Sequence, residues 1–420
     1  GVRLVGSEMC IRDRHRLTYF ERWIVKFPRT LAALLFSFIA VLGLAGCSSD
    51  SSGNDAAGSN GDEKNGEAVL TVTDAAGRTV DFDKQPERIL LGEGRGIFAT
   101  SILQDNPFEK VVAYGDDFEK AAPAMREKVL EKFPEAKDLP QIGSLQKGDV
   151  TVENLLAQKP DVVVMTLDQK KVAEQNGFLA DMDAVGLKYV FTDFRQDPLN
   201  NTEVSMKLFG DLFGKSDRAE SYNKFWSDKV ADITDRVAKT TEKPNTAVWM
   251  AAGFKDCCAI AGDANLGKLV DAAGGHNIGP EILGTDETEI TVEKLVEVNP
   301  DKLIVSGGEW ARDPQKTDAF SHVELGYQAD EAAARDSFGG PLKTPGVEQL
   351  TAPKEGDFFA VYHQFYDSPY NVFALEAFAK WLHPEEFEDT DPAKDFESFH
   401  AEWMPIDYSG TFFLDGYEAK

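Results

Sequence analysis

The sequence predicts an α/β protein built as two similar lobes joined by a long helix, with a ligand cleft between the lobes. Three observations carry that expectation. Apolar, strand-like runs alternate with helical ones, the pattern of open α/β sheets. A helix–proline–strand motif recurs in register in both halves of the chain. The 420 residues exceed what one hydrophobic core normally organises.

From Leu70 a short hairpin, Leu70–Asp74 and Arg78–Phe82, turns through Ala-Ala-Gly. In the first half, Arg88–Leu91, Lys110–Tyr114, Asp161–Thr166 and Lys188–Thr192 read as strands; in the second, Thr246–Ala251, Lys302–Ser306 and Asp357–Tyr362 do. The repeat is Thr151-Val-Glu153-Asn-Leu-Leu-Ala-Gln-Lys-Pro160-Asp161, which returns as Thr291-Val-Glu293-Lys-Leu-Val-Glu-Val-Asn-Pro300-Asp301. Threonine caps a helix, glutamate in the first turn favours the helix dipole, and Pro-Asp ends the helix before a buried strand. Between the halves, Asn201–Lys239 carries Leu208, Leu212, Tyr222, Phe225, Trp226, Val230 and Ile233 at helical spacing. Gly210 and Gly214 are expected to divide it, and a helix crossing between lobes makes a stiffer joint than a strand hinge. The expected boundaries are 68–200 for the N-terminal lobe, 201–243 for the connecting helical segment and 244–420 for the C-terminal lobe.

The N-terminus reads as a processing segment. Arg12, Arg14, Arg16, Arg22, Lys26 and Arg29 precede the apolar run Leu31–Leu44, the layout of a signal peptide. Leu44-Ala45-Gly46-Cys47 resembles a bacterial lipobox, which implies lipidation of Cys47 and removal of residues 1–46. Residues 1–14 lack an initiating methionine and carry Glu8 and Asp13 within the basic region, so they read as a misassembled 5′ end. Residues 47–67 are rich in Ser, Gly, Asn and Asp, a composition suited to a flexible tether. The protein is therefore expected to be exported and held at the extracytoplasmic face of the membrane.

Charge and composition exclude several classes. The formal net charge is −28, and removing residues 1–46, with seven basic and three acidic side chains, leaves −32. Nucleic acid is excluded as a partner, and membrane contact is expected through the lipid anchor only. Cys257 and Cys258 are adjacent, which is not the spacing of a zinc site; a vicinal disulfide and two buried thiols both fit. The chain lacks a Gly-x-Ser-x-Gly elbow, a Gly-x-Gly-x-x-Gly turn and a Walker lysine loop, and Gly92-Glu-Gly94-Arg-Gly96 has the wrong spacing for a phosphate cradle. An enzyme is not expected, and a surface-anchored α/β enzyme stands as the alternative from another class.

Several segments resemble class III substrate-binding proteins of ABC importers, the group serving iron-siderophores, haem and cobalamin. They are Thr71-Val-Thr-Asp-Ala-Ala-Gly77-Arg78-Thr-Val80 with Pro86-Glu-Arg88-Ile, both Thr-Val-Glu units, Gly262-Asp-Ala-Asn-Leu266-Gly with Ala273-Gly274-Gly275-His-Asn277-Ile278, and Ser368-Pro-Tyr370-Asn371 onward. The resemblance implies Rossmann-like lobes, a monomer, no resident cofactor, and partnership with a permease dimer and its ATPase subunits. It also implies that Glu153 and Glu293, at the starts of the repeated helices, dock onto basic residues of the permease.

Ligands of open α/β sheets sit beyond the carboxyl ends of the strands. The residues there are aromatic and arginine-containing: Arg95, Arg195, Trp249, Trp310, Arg312, Tyr362, His363 and Tyr366. Aromatics suit the organic skeleton of a ferric siderophore, and arginines suit its chelating oxygens. Direct metal ligation is not expected, because adjacent residues on a strand point to opposite faces, which keeps Tyr362 and His363 from reaching one metal if the strand continues there. Haem, cobalamin and nickel or cobalt chelates are alternative cargoes.

Overall fold

The computed structural model describes residues 68–254, 257–284, 288–310 and 322–418. The signal segment, Cys47, the tether and Arg312 lie outside the described residues.

Strands β1 (Leu70–Thr73) and β2 (Thr79–Phe82) form an antiparallel hairpin whose turn places Gly77 at φ +74°. The first sheet contains β3 (Ile89–Leu91), β4 (Val111–Gly115), β5 (Gln141–Ile142), β6 (Val162–Thr166) and β7 (Tyr189–Thr192). They are all parallel, in the order β5-β4-β3-β6-β7. The second sheet contains β8 (Asn245–Trp249), β9 (His276–Asn277), β10 (Lys302–Gly307), β11 (Phe358–Tyr362) and β12 (Phe413–Leu414), in the order β12-β11-β10-β8-β9. Only β12 runs antiparallel to its neighbour. The central strands are mainly apolar and almost wholly buried, as parallel strands covered by helices must be. The predicted strands are all present, with ends shifted by one or two residues. The edge strands β5, β9 and β12 were not predicted, because two residues carry no periodic signal.

The repeat folds the same way twice. Helix Val152–Ala157 leads to β6 and helix Val292–Val298 leads to β10. Thr151 Oγ1 accepts from Asn154 N at 3.3 Å, and Thr291 Oγ1 accepts from Lys294 N at 3.2 Å. Lys159 and Asn299, each just before a proline, take left-handed φ values of +49° and +45°. The right-handed helical conformation is disfavoured in front of proline, so both helices end at the same place.

The connecting segment is divided at one of the two expected glycines. Helices Pro198–Phe213 and Ser216–Val237 pack against each other, separated at Gly214, which has φ +71°. Gly210 does not divide the segment; it stays within the first helix, where a Cβ would collide with the Ala219 side chain across the close helix–helix approach. The pair is fastened to the second lobe. Tyr222 Oη donates to the Pro369 carbonyl at 2.7 Å, Trp226 Nε1 donates to Asn371 Oδ1 at 2.9 Å, and Asn371 Nδ2 donates to Thr202 Oγ1 at 2.9 Å. Ser368–Asn371, directly after Tyr366 and Asp367, is thereby locked onto both connecting helices.

Candidate functional site

In each sheet the strand order reverses once, between β3 and β6 and between β8 and β10. The carboxyl ends of these strands open a crevice, the usual ligand position in such sheets.

In the first lobe two tight turns aim two arginines. After β3, Gly94 passes so close to the end of β4 that a Cβ would collide with the Gly115 carbonyl oxygen. Asp117 fixes the turn, accepting from Gly94 N at 2.6 Å, Arg95 N at 3.2 Å and Arg95 Nε at 3.0 Å. After β7, Asp193 accepts from the backbone N–H groups of Arg195, Gln196 and Asp197 at 2.9, 2.7 and 2.8 Å. Each arginine is thus set by an aspartate that satisfies its local backbone.

These arginines are engaged rather than free. Arg95, only 8% exposed, pairs with Glu93, with Asp117 at 3.0 Å and with Asp367 at 3.0 Å. Arg195 pairs with Glu93 at 2.7 Å, with Asp168 and with Asp367. Asp367 comes from the second lobe, so the cluster ties the lobes together. The Tyr366 ring centroid lies 5.3 and 5.0 Å from the two guanidinium carbons, and its hydroxyl meets Arg95 Nη1. Two cations therefore share four carboxylates. Burial raises the Glu93 carboxyl, but Arg195 and Arg95 pull harder and hold it at about 2. Burial pushes Asp367 up to about 7 against the pull of Arg195, with the Glu93 charge adding to the rise.

The second lobe supplies a cavity of about 540 Å³ whose walls include Met250, Phe254, Leu283, Trp310, His363 and Tyr366. Trp310 is the centre of an aromatic group, 4.8 Å from Phe254, 5.4 Å from His322 and 4.9 Å from His363 between ring centroids. His363 Nδ1 lies 2.8 Å from Ser306 Oγ, which orients the imidazole at the end of β10. Cys257 and Cys258 are joined as a vicinal disulfide, and Cys258 exchanges backbone hydrogen bonds of 2.9 and 3.0 Å with Ile290 beside the cavity.

The crevice brings together Arg95, Arg195, Trp310, His363 and Tyr366. Two expected wall residues are not in it. Trp249, 1% exposed, lies opposite Val305 within the sheet, and the cavity receives the next residue, Met250. Tyr362, 2% exposed, sits in the second-lobe core with edge-on contacts to Tyr327, Phe365 and Phe412. The strand ends at Tyr362, which is buried, and His363 opens a short 3-10 turn that sets it on the cavity wall. Glu93, Asp117, Asp168 and Asp367 were missed, because nothing in an acid-rich sequence singles them out. Met250 and Phe254 adjoin a predicted strand end and were within reach of the same reasoning. Away from the crevice, Glu153 and Glu293 occupy equivalent exposed first-turn positions. Hydrogen bonds from their own backbone N–H groups and the capping threonines hold both carboxyls below the usual range.

A family model described as periplasmic binding protein matches residues 117–361, more than half of the chain. The ABC transporter substrate-binding lipoprotein YvrC of Bacillus subtilis (strain 168), itself uncharacterized, is 22% identical over 346 residues, covering 78% of this chain and 97% of YvrC. Among solved structures, the TroA-like periplasmic binding protein FepB from Veillonella parvula superposes with a TM-score of 0.72 at 24% identity, covering 82% of this chain and 99% of FepB. The molybdate-bound MolA of Haemophilus influenzae gives 0.60 at 17% identity, covering 81% and 99%. The two structures share the fold, two α/β lobes about a cleft. The chain belongs to the periplasmic binding protein family, in its class III form, and is a substrate-binding protein of an ABC transporter.

Proposed function

We propose that the protein captures a metal chelate, a ferric siderophore foremost, in the crevice between its lobes and delivers it to the permease. The observation that carries this reading is the aromatic cavity around Trp310, which meets the Arg–carboxylate cluster at Tyr366. Flat apolar walls suit the organic skeleton of a chelate, and a few fixed polar groups at one end suit its orientation. Cys47 carries the lipid that keeps the protein at the extracytoplasmic face. Glu153 and Glu293, one on each lobe, dock on the permease as two fixed carboxylates facing a symmetric partner.

The test is a titration of the full chain in detergent micelles with ferric hydroxamate, catecholate and citrate complexes, haem and cobalamin, following tryptophan emission. Saturable quenching by a ferric chelate, and not by the iron-free ligand, is expected. Binding of haem or cobalamin alone replaces the cargo; no binding across the panel removes the crevice as the capture site. With the permease and ATPase in liposomes, E153K/E293K should bind ligand normally yet fail to stimulate ATP hydrolysis, and normal stimulation would remove the docking role.

A further inference from the structure

We infer that the crevice selects its cargo by charge, admitting neutral or cationic metal chelates and rejecting anionic ones, with Glu93, Asp367 and Glu289 as the selecting residues. The inference rests on the chelate reading above and narrows it.

Three observations meet here. First, among the described residues, the arginines that would greet an anion are already committed. Every guanidinium nitrogen of Arg95 and both terminal nitrogens of Arg195 bond to a carboxylate or to Tyr366. An anionic ligand would have to displace Glu93 or Asp367, and a displaced buried carboxylate without its cation is costly. Second, the cluster holds four carboxylates against two arginines, so it has no net positive charge to offer an anion even where Asp367 is protonated, and it adjoins the cavity through Tyr366. Third, the described cavity lining contains no lysine or arginine, while Glu289 stands exposed on it. Each of these makes the crevice repel an anion, and like-charge contact discriminates strongly inside a partly desolvated site.

The experiment varies charge on one skeleton. A linear ferric trihydroxamate bearing a terminal amine carries one positive charge, its N-acetyl form is neutral, and its N-succinyl form carries one negative charge. A ferric tricatecholate, with three negative charges, joins the series. Titrated into the full chain in detergent, the first two should bind about tenfold more tightly than the succinylated form. The gap should shrink with added salt, as screening requires. D367N and E289Q should each narrow it, by about threefold at the buried site and less at the exposed one. E289Q lies on the surface and leaves the core intact, so it tests the idea even where D367N does not fold. Equal or tighter binding of the succinylated form overturns the charge selection while leaving the chelate reading in place, and so does a gap that neither substitution nor salt changes. If no member of the series binds, the chelate reading fails and the inference falls with it.

Discussion

The strand ends of the first lobe deliver Glu93, Arg95, Asp168 and Arg195 to the crevice, whereas those of the second deliver Met250, Trp310, His363 and Tyr366. Both lobes contain the same capped helix, the same left-handed residue before proline and a central parallel strand after it. The shared frame therefore places the crevice at the strand ends of both lobes, and the loops after the strands decide which chemistry each lobe presents. One half is a network of buried charges whose partners are each other. The other is a largely aromatic wall lining the cavity. Asp367 and Tyr366 belong by sequence to the second lobe and by contact to both, which makes the boundary between the halves a matter of adjacent residues.

The largest effect should come from the charged half. R195M leaves Glu93, Asp168 and Asp367 short of a cation, and breaking such a buried network should cost about 3–5 kcal/mol in urea unfolding. A loss below about 1 kcal/mol would mean the cluster is solvated and does not join the lobes. The apolar half should behave in the opposite way. W310A should weaken chelate binding by tenfold to a hundredfold, roughly 1.4–2.8 kcal/mol, with a much smaller change in unfolding stability because Trp310 is half-buried. If stability fell as far as in R195M, the two halves would not differ in kind.

The smallest effect concerns Glu309, the half-buried carboxylate of the second lobe's own site loop. Burial pushes its carboxyl up to about 7, against hydrogen bonds from the backbone N–H groups of Gln328, Tyr327 and Ala329 and the more distant charge of Lys128. Glu127 approaches the same loop through Gln328. The folded protein keeps a proton on Glu309 that the unfolded chain releases between about pH 4.5 and 7, so this group's contribution to stability falls as pH rises through that window. E309Q mimics the protonated form. Its stability relative to the parent should rise by about 1–2 kcal/mol between pH 5 and pH 8 in thermal unfolding. A pH-independent difference would place Glu309 in solvent.

The sequence made the lobes legible because their signals are local. Thr151 and Thr291, Pro160 and Pro300, and the apolar runs of β6 and β10 each act within a few residues, so pattern alone places helix, break and strand. The crevice was legible only in part. Arg95 and Arg195 follow strand ends, which located them, but their partners lie far along the chain: Asp367 is contributed by the opposite lobe, and Asp168 begins a helix after a different strand. With 72 acidic residues, no local pattern distinguishes those four carboxylates from the rest. Trp249 and Tyr362 mark the same limit from the other side, since whether the last residue of a strand faces core or cleft depends on where the strand stops relative to its neighbours.

The sequence by itself determined two α/β lobes, their order, the capped helices that carry Glu153 and Glu293, and the strand ends at which a ligand site must form. Periodicity, capping and proline are short-range constraints that the chain obeys before it folds together. Only the tertiary structure decided that Gly210 stays within a helix, packed against Ala219, while Gly214 alone divides the connection. It also decided that two arginines close onto carboxylates of both lobes, and that the aromatic wall belongs to one lobe alone. Charge pairing and burial depend on distances between residues remote in sequence, and those distances exist only once the lobes have packed.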